Sequence, residues 1–173
     1  LYVSPFHAVQ VWDRLWAAGR DDGVVAGGYR VLDSLRAEKG YRYMGTDLTA
    51  GDTPYAAGLG FCVGRDKPDF IGREALAAPG ATEPAMRLRT IVVGEGEQLP
   101  LYGGEAVRID GAVRTRVRSC AYGYTVGRTI AFAYLPAGLA VGDPVEVEVL
   151  GRPHPATVAE RVLHDPQNLR VLA

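Results

Sequence analysis

The chain reads Ser34-Leu-Arg-Ala-Glu38-Lys-Gly-Tyr-Arg42-Tyr-Met-Gly45-Thr-Asp47, then Thr53-Pro-Tyr-Ala-Ala-Gly58-Leu-Gly60-Phe61, and then Lys67-Pro-Asp-Phe70-Ile-Gly72-Arg73-Glu-Ala-Leu76. The first block ends a predicted helix over 29–39, because Gly40 supplies a C-terminal stop. Val31, Leu32, Leu35 and Glu38 lie on or near one face of this helix. Because the helix dipole disfavours a negative charge in the last turn, Glu38 must find hydrogen-bond donors elsewhere.

Local signals around these blocks predict three further elements. Ser4-Pro5 begins a helix over 5–18, since a capping hydroxyl precedes a proline at the first helical position. Phe61-Cys62-Val63 reads as a short strand, and 72–77 reads as a short helix. Small and polar residues over 78–84 predict a domain boundary there.

Beyond this boundary the apolar residues recur with a period of two, which is typical of strands. Asp110-Gly111 suits a type I′ turn, so the residues on either side of it predict a tight hairpin. About six short strands with turns between them favour a small antiparallel barrel. The strand candidates are 87–93, 106–109, 112–117, 129–134, 144–149 and 156–159.

Composition narrows the classes of function. The chain has 173 residues, 47% of them hydrophobic, and a net charge of −1, so it carries no single-sign field that would attract nucleic acid or an anionic membrane. No apolar run approaches the roughly 20 residues of a membrane span, and no charged-then-apolar segment opens the chain. The three histidines are scattered without metal-ligand spacing. We therefore expect a cytoplasmic protein with no metal site, no nucleic-acid partner and no membrane partner.

Glu38 is the main candidate for ligand binding. A carboxylate can accept two parallel N–H donors, and the 2-amino-4-oxo edge of a pterin or guanine offers such a pair. Aromatic residues such as Tyr43 lie nearby in sequence and suit a flat heterocycle. The alternative is an ion pair with Arg42 or Lys39 at a solvated helix end.

Basic residues form a second candidate set that suits a carboxylate tail, because guanidinium binds carboxylate in a bidentate manner. Taken one at a time, each of them is more typical of a surface charge. The loop 122–128 combines glycine, tyrosine and one arginine, and is either the mouth of a ligand site or a tight turn. The basic set comprises Arg36, Arg42, Arg65, Lys67 and Arg73.

The three blocks quoted above resemble the aminomethyltransferase family, which includes the glycine-cleavage T-protein. The version with Ser34-Leu-Arg-Ala-Glu38-Lys-Gly-Tyr-Arg42 is similar to relatives fused to flavin-dependent dimethylglycine and sarcosine dehydrogenases or oxidases. Leu101-Tyr-Gly-Gly-Glu105 and 122–134 resemble the terminal barrel of these proteins. The resemblance implies an α+β fold: the second half of a folate-binding domain over 1–80, followed by an antiparallel β-barrel over 85–173.

The resemblance also implies a function. In the family, this domain captures a one-carbon unit from an aminomethyl or iminium group as 5,10-methylenetetrahydrofolate. Glu38 matches the carboxylate that holds the pterin, and Lys67 stands near a basic position that faces the folate tail. Arg42 and Tyr43 complete the expected cofactor-binding set. Because the family's catalytic aspartate lies upstream of Leu1, we identify no catalytic residue here and expect the chain alone to be inactive.

The expected ligands and partners follow from the same resemblance. They are tetrahydrofolate, a small amine substrate, the upstream half of the same protein, and FAD as a candidate cofactor of that upstream part. Two other functions stay open. One is a folate-dependent O- or S-demethylase, and the other is a non-catalytic folate-binding or assembly module.

Overall fold

The computed structural model describes residues 1–172, and the chain divides into two compact units, Leu1–Val31 and the residues from Leu32 onward. In the first unit, α1 spans Pro5–Gly19, with proline at its N-terminus as the sequence predicts. Its Trp12 and Trp16 rings stack with centroids 5.9 Å apart. A turn follows, in which Val24 N–H donates to the Gly19 carbonyl at 3.0 Å.

The second unit begins with three short helical segments that precede the sheet. Helix α2 spans Val31–Lys39, a 3₁₀ turn spans Gly60–Cys62, and α3 spans Arg73–Ala77. The predicted strand at Phe61-Cys62-Val63 is therefore wrong. There, Cys62 and Val63 N–H groups donate to the carbonyls three residues earlier, which closes a helical turn instead of extending the chain.

Six antiparallel strands form a closed barrel, in which the last strand pairs back onto the first. Asp110 and Gly111 both have positive φ, 52° and 76°, as a type I′ turn requires, so the predicted hairpin is confirmed. The α+β fold with a terminal antiparallel barrel is confirmed as well. In chain order, the strands β1 to β6 are Met86–Val93, Ala106–Ile109, Ala112–Gly123, Arg128–Pro136, Pro144–Val149 and Arg152–Ala159. Around the barrel they follow the order β1-β4-β3-β2-β5-β6.

Strand β4 is buried on both faces, so it packs against the barrel core on one side and against α2 on the other. Ala131, Ala133 and Leu135 belong to the core cluster formed by alternate residues of the strands. Ile130, Phe132 and Tyr134 point to the opposite side, where they form a second cluster with Ala37 of α2. This double burial explains why 129–134 reads as an apolar run instead of an alternating one.

Helix α2 packs on the barrel through a face that contains two polar residues and one alanine. Ser34, Ala37 and Glu38 are buried, and the Ser34 hydroxyl donates to the Tyr122 carbonyl at 2.7 Å. Leu32 and Leu35 remain 55% and 52% exposed. The expectation that these leucines share a face with Glu38 is therefore corrected, since Glu38 lies inward and they lie outward.

A buried polar network fixes α2 and the following turn to the barrel. Asp47 is fully buried, and its Oδ2 accepts from Arg36 Nη1 and from Tyr43 N–H, both at 2.7 Å. Its Oδ1 accepts from the Ser119 hydroxyl on β3. The network thus connects a helix, a turn and a strand, and it occupies Arg36, which the sequence offered as a ligand-binding residue.

We expect Asp47→Ala to destabilise the chain by about 3–5 kcal/mol, because it leaves the mostly buried Arg36 guanidinium without its buried partner. Urea unfolding of the variant measures this change. Asp33→Ala is the matched control, since Asp33 pairs with the same arginine at 3.3 Å but is exposed. Its cost should stay within about 0.5 kcal/mol, and equal losses in the two variants would contradict the role of Asp47.

Candidate functional site

Glu38 lies in the last turn of α2, where it is 1% exposed. The helix ends because Gly40 adopts φ 67°, and Tyr41 N–H then donates back to the Arg36 carbonyl at 2.9 Å. A carboxylate buried at this end of a helix needs donors from another part of the chain. The β3–β4 loop supplies them.

The loop between β3 and β4 binds one oxygen of the Glu38 carboxylate. Oε1 accepts from the backbone N–H groups of Thr125 at 2.6 Å and Val126 at 3.2 Å. Gly123 allows this approach, because a Cβ there would lie 2.9 Å from Glu38 Cγ. The sequence offered this loop as a ligand mouth or a tight turn, and its backbone proves to hold the candidate carboxylate.

The other oxygen of Glu38 has no partner. Oε2 is buried and accepts no hydrogen bond from the residues the structure describes. Each carboxylate oxygen has about two acceptor positions, and the two on Oε1 are filled by the loop. Because a buried polar atom normally has a partner, this unfilled acceptor requires an explanation.

The alternative of an ion pair at a solvated helix end is wrong for Glu38. Lys39 pairs instead with Asp165, at 2.9 Å between Nζ and Oδ2. Arg42 donates to the Gly40 carbonyl, and its guanidinium lies 4.9 Å from the centroid of the Phe132 ring. Within residues 1–172, no salt bridge reaches Glu38.

Arg42 is largely enclosed between the turn after α2 and the barrel. Burial lowers the pKa of its guanidinium to about 10, and the nearby Asp47 carboxylate partly opposes this shift. Arg42 therefore stays charged at neutral pH. Its Nε is buried without a hydrogen-bond partner, so one donor of this side chain remains available.

Tyr43 and Lys67 are both exposed, and no hydrogen bond in the described part of the chain joins either to Glu38. The Tyr43 ring lies under the Arg36 guanidinium, 5.3 Å from its centroid. Lys67 follows a turn closed by its own N–H to the Gly64 carbonyl at 3.1 Å. Their assignment to cofactor binding stays a prediction.

Two arginines of the basic set line a cavity of about 370 Å³ beside α3, together with the rings of Tyr55 and Phe70. The Arg65 guanidinium lies 5.5 Å from the Tyr55 ring centroid, and Arg73 Nε donates to the Lys67 carbonyl at 3.2 Å. Neither arginine forms a salt bridge with an acidic side chain of residues 1–172. The basic set thus separates into Arg36 and Arg42, which pack beside the turn after α2, and Arg65 and Arg73, which line this cavity.

A second cavity, of about 520 Å³, lies between the β3–β4 loop and the segment after β6. Val126 and Leu163 line it, and the backbones of both also contact Glu38. Glu38 itself is not part of its lining.

Among residues 1–172, no group of three or more His, Cys, Asp and Glu side chains is arranged to hold a metal ion. No helix in the same residues is long and apolar enough to cross a bilayer.

Comparison with known proteins agrees with this architecture. The family described as the glycine cleavage T-protein C-terminal barrel domain matches residues 87–165, and the GCVT N-terminal domain matches residues 1–67. The crystal structure of the glycine cleavage system aminomethyltransferase T from Bartonella henselae aligns with a TM-score of 0.77 and 25% identity. That alignment covers 90% of this chain and 44% of the Bartonella chain.

Curated relatives extend the comparison to longer enzymes. The chain is 40% identical over 173 residues to 4-methylaminobutanoate oxidase (formaldehyde-forming) of Paenarthrobacter nicotinovorans, and 38% identical over 180 residues to mouse mitochondrial sarcosine dehydrogenase. Each alignment covers 99% of this chain but only 21% and 19% of those proteins. The aminomethyltransferase of Frankia alni is 40% identical over 148 residues, which cover 86% of this chain and 40% of that protein. The chain belongs to the aminomethyltransferase family of the glycine-cleavage T-protein, and it contains that family's C-terminal barrel domain and a part that matches its N-terminal domain.

Proposed function

We propose that this chain is part of a tetrahydrofolate-dependent enzyme that captures a one-carbon unit from an amine-derived iminium or aminomethyl group as 5,10-methylenetetrahydrofolate. The observation that carries the proposal is the buried Glu38 carboxylate, with Oε1 held by two backbone N–H groups and Oε2 without a partner. This half-satisfied carboxylate fits the donor edge of a pterin.

The arrangement favours one geometry of binding over another. A pterin offers a ring N–H and an exocyclic amine on one edge, and these two donors point side by side in the same direction. Since the acceptor positions of Oε1 are occupied, the pterin edge would be received by Oε2, which has two acceptor positions free. A charged acceptor that is shielded from water makes stronger hydrogen bonds than an exposed one.

The contribution of this chain would be positioning. Bound folate supplies the nucleophilic nitrogen that takes up the carbon. Glu38 would fix the orientation of the ring, and its burial excludes water from the hydrogen bonds that set this orientation. We identify no acid–base pair beside Glu38 among residues 1–172, and we propose that the proton transfers of the reaction take place in the upstream part that the family resemblance implies.

The carboxylate tail of the folate would lie towards the basic residues of the 64–73 segment. Lys67 is exposed, and the adjacent cavity presents Arg65 and Arg73 without acidic partners. Guanidinium groups bind carboxylates well at such sites. Arg42 and Tyr43 would contribute around the ring, Arg42 through its free Nε.

We propose that the rest of a longer protein covers the outer face of α2, where Leu32 and Leu35 are exposed. The chain spans about a fifth of the length of the oxidase and dehydrogenase relatives.

The oxidase and dehydrogenase relatives are named for N-methylated amino acids, so we propose such an amine as substrate, with FAD in the upstream part. The cytoplasm remains our proposed location, although the sarcosine and dimethylglycine dehydrogenase relatives are mitochondrial.

One relative supports a second candidate. The name of the Paenarthrobacter protein says that it forms formaldehyde, so in that protein the carbon is released. An oxidase of this kind would generate formaldehyde whether or not folate is present. Formaldehyde released by the full-length protein during turnover, with and without tetrahydrofolate, separates this reaction from folate capture.

Glu38→Gln should weaken binding of tetrahydrofolate to the full-length protein by about 1–3 kcal/mol, or about 5- to 150-fold in Kd. Glutamine retains one oxygen for the β3–β4 loop but turns the second acceptor into an N–H donor, which opposes the pterin donors. Isothermal titration calorimetry measures the change. Glu74→Gln on α3 removes an exposed carboxylate and serves as control, with an unchanged Kd expected. Equal affinities for Glu38→Gln and the wild type would reject Glu38 as the folate ligand.

The covered face of α2 gives a separate test. Replacing Leu32 and Leu35 together by serine should change the stability of the 173-residue chain by less than about 1 kcal/mol, because both are exposed in it. In the full-length protein the same change should cost about 2–5 kcal/mol, the range for losing buried leucine contacts. Val141→Ser, another exposed position, should cost little in both. Equally small losses in both proteins would show that nothing covers this face.

A further inference from the structure

The segment that follows β6 contacts the same helix turn that carries Glu38. The Glu38 carbonyl accepts from the backbone N–H groups of Leu163 at 2.9 Å and His164 at 3.0 Å. Carbonyls in the last turn of a helix have no partner within the helix. Here a segment from the far end of the chain supplies two donors to one of them.

The same segment approaches Gly40 closely. A Cβ at Gly40 would lie 2.1 Å from the Arg161 carbonyl oxygen, so only glycine permits this packing. The Arg161 carbonyl also accepts from the Thr90 hydroxyl of β1 at 3.2 Å. The segment is thus fixed to the barrel on one side and lies against the end of α2 on the other.

An ion pair completes the contact. Lys39 Nζ lies 2.9 Å from Asp165 Oδ2, and the two side chains are only 11% and 8% exposed. The Asp165 carboxylate also accepts from the N–H groups of Leu169 at 2.7 Å and Arg170 at 3.3 Å, which fix its position. The hydrogen bond from Lys39, followed by these backbone donors, lowers the pKa of Asp165 below its usual value, so the carboxylate is charged at neutral pH.

We propose that the Lys39–Asp165 ion pair is a positioning contact for the Glu38 carboxylate. Glu38 and Lys39 are consecutive, and so are the His164 and Asp165 that bind them. The pair therefore sets the position of the last turn of α2 against the barrel. This position determines whether Glu38 Oε1 reaches Thr125 N–H at 2.6 Å and where Oε2 points. The inference rests on the proposed function, because it assigns the pair a role in ligand binding by Glu38.

The test uses the full-length protein and its Kd for tetrahydrofolate, measured well below the unfolding temperature. Lys39→Met should raise the Kd by about 10- to 100-fold, the size of effect expected when hydrogen bonds to a charged acceptor are weakened. Lys39→Arg, which keeps the ion pair, should restore the Kd to within about threefold of the wild type. The double variant Lys39→Met/Asp165→Asn should have a Kd no higher than that of the single variant with the higher Kd. Each single change already removes the same ion pair, so the second change removes nothing further.

Arg108→Met is the matched control. Arg108 pairs with Glu148 on the barrel surface at 3.1 Å, and its loss removes the same charge without touching α2. Its Kd should equal that of the wild type. Faster hydrogen exchange at the Leu163 and His164 amides in Lys39→Met would support displacement of the segment. Asp165→Asn keeps the shape of the side chain and replaces Lys39→Met if the latter does not fold.

The outcomes separate the inference from the proposed function. If Glu38→Gln weakens folate binding while Lys39→Met and Asp165→Asn lower only the melting temperature, the ion pair is purely structural and the inference is wrong. If none of these variants alters the Kd, the assignment of Glu38 to folate fails and the inference falls with it. A loss of affinity in Arg108→Met equal to that in Lys39→Met would likewise overturn the positioning role.

Discussion

The burial of one carboxylate organises the site. An unpaired buried charge is strongly destabilising, and Glu38 is tolerated because Thr125 and Val126 donate their backbone N–H groups to Oε1. This contact requires the small Gly123 on one side and the end of α2 against the barrel on the other. The barrel therefore does more than follow the N-terminal segment, since it supplies the donors that orient Glu38.

Helix α2 reverses the usual arrangement of a surface helix. It directs Ser34 and Glu38 towards the protein and leaves Leu32 and Leu35 in solvent. Polar contacts therefore hold its inward face, and its outward face presents two exposed leucines.

The arginines divide between structure and recognition. Arg36 holds the buried Asp47, and Arg42 packs its guanidinium on Phe132, so both anchor the turn after α2. Arg65 and Arg73 line an open cavity without acidic partners among residues 1–172. Residue type alone does not distinguish these roles, because a guanidinium serves equally well in an internal network and in anion binding. The difference lies in whether groups of the same chain hold the guanidinium: the Asp47 carboxylate holds Arg36, and the Gly40 carbonyl and the Phe132 ring hold Arg42.

The sequence by itself determined the elements whose signals are local: α1 after Ser4-Pro5, the end of α2 at Gly40, the Asp110-Gly111 hairpin and the period-two strands of the barrel. It failed at Phe61-Cys62-Val63, where an apolar triplet lacks a partner strand and closes a 3₁₀ turn. Only the tertiary structure decided the surroundings of Glu38, because its donors lie 87 and 88 positions away and the Lys39–Asp165 pair spans 126. Backbone donors carry no side-chain signature, so no pattern in the sequence marks Thr125 and Val126 as the partners of a buried acid.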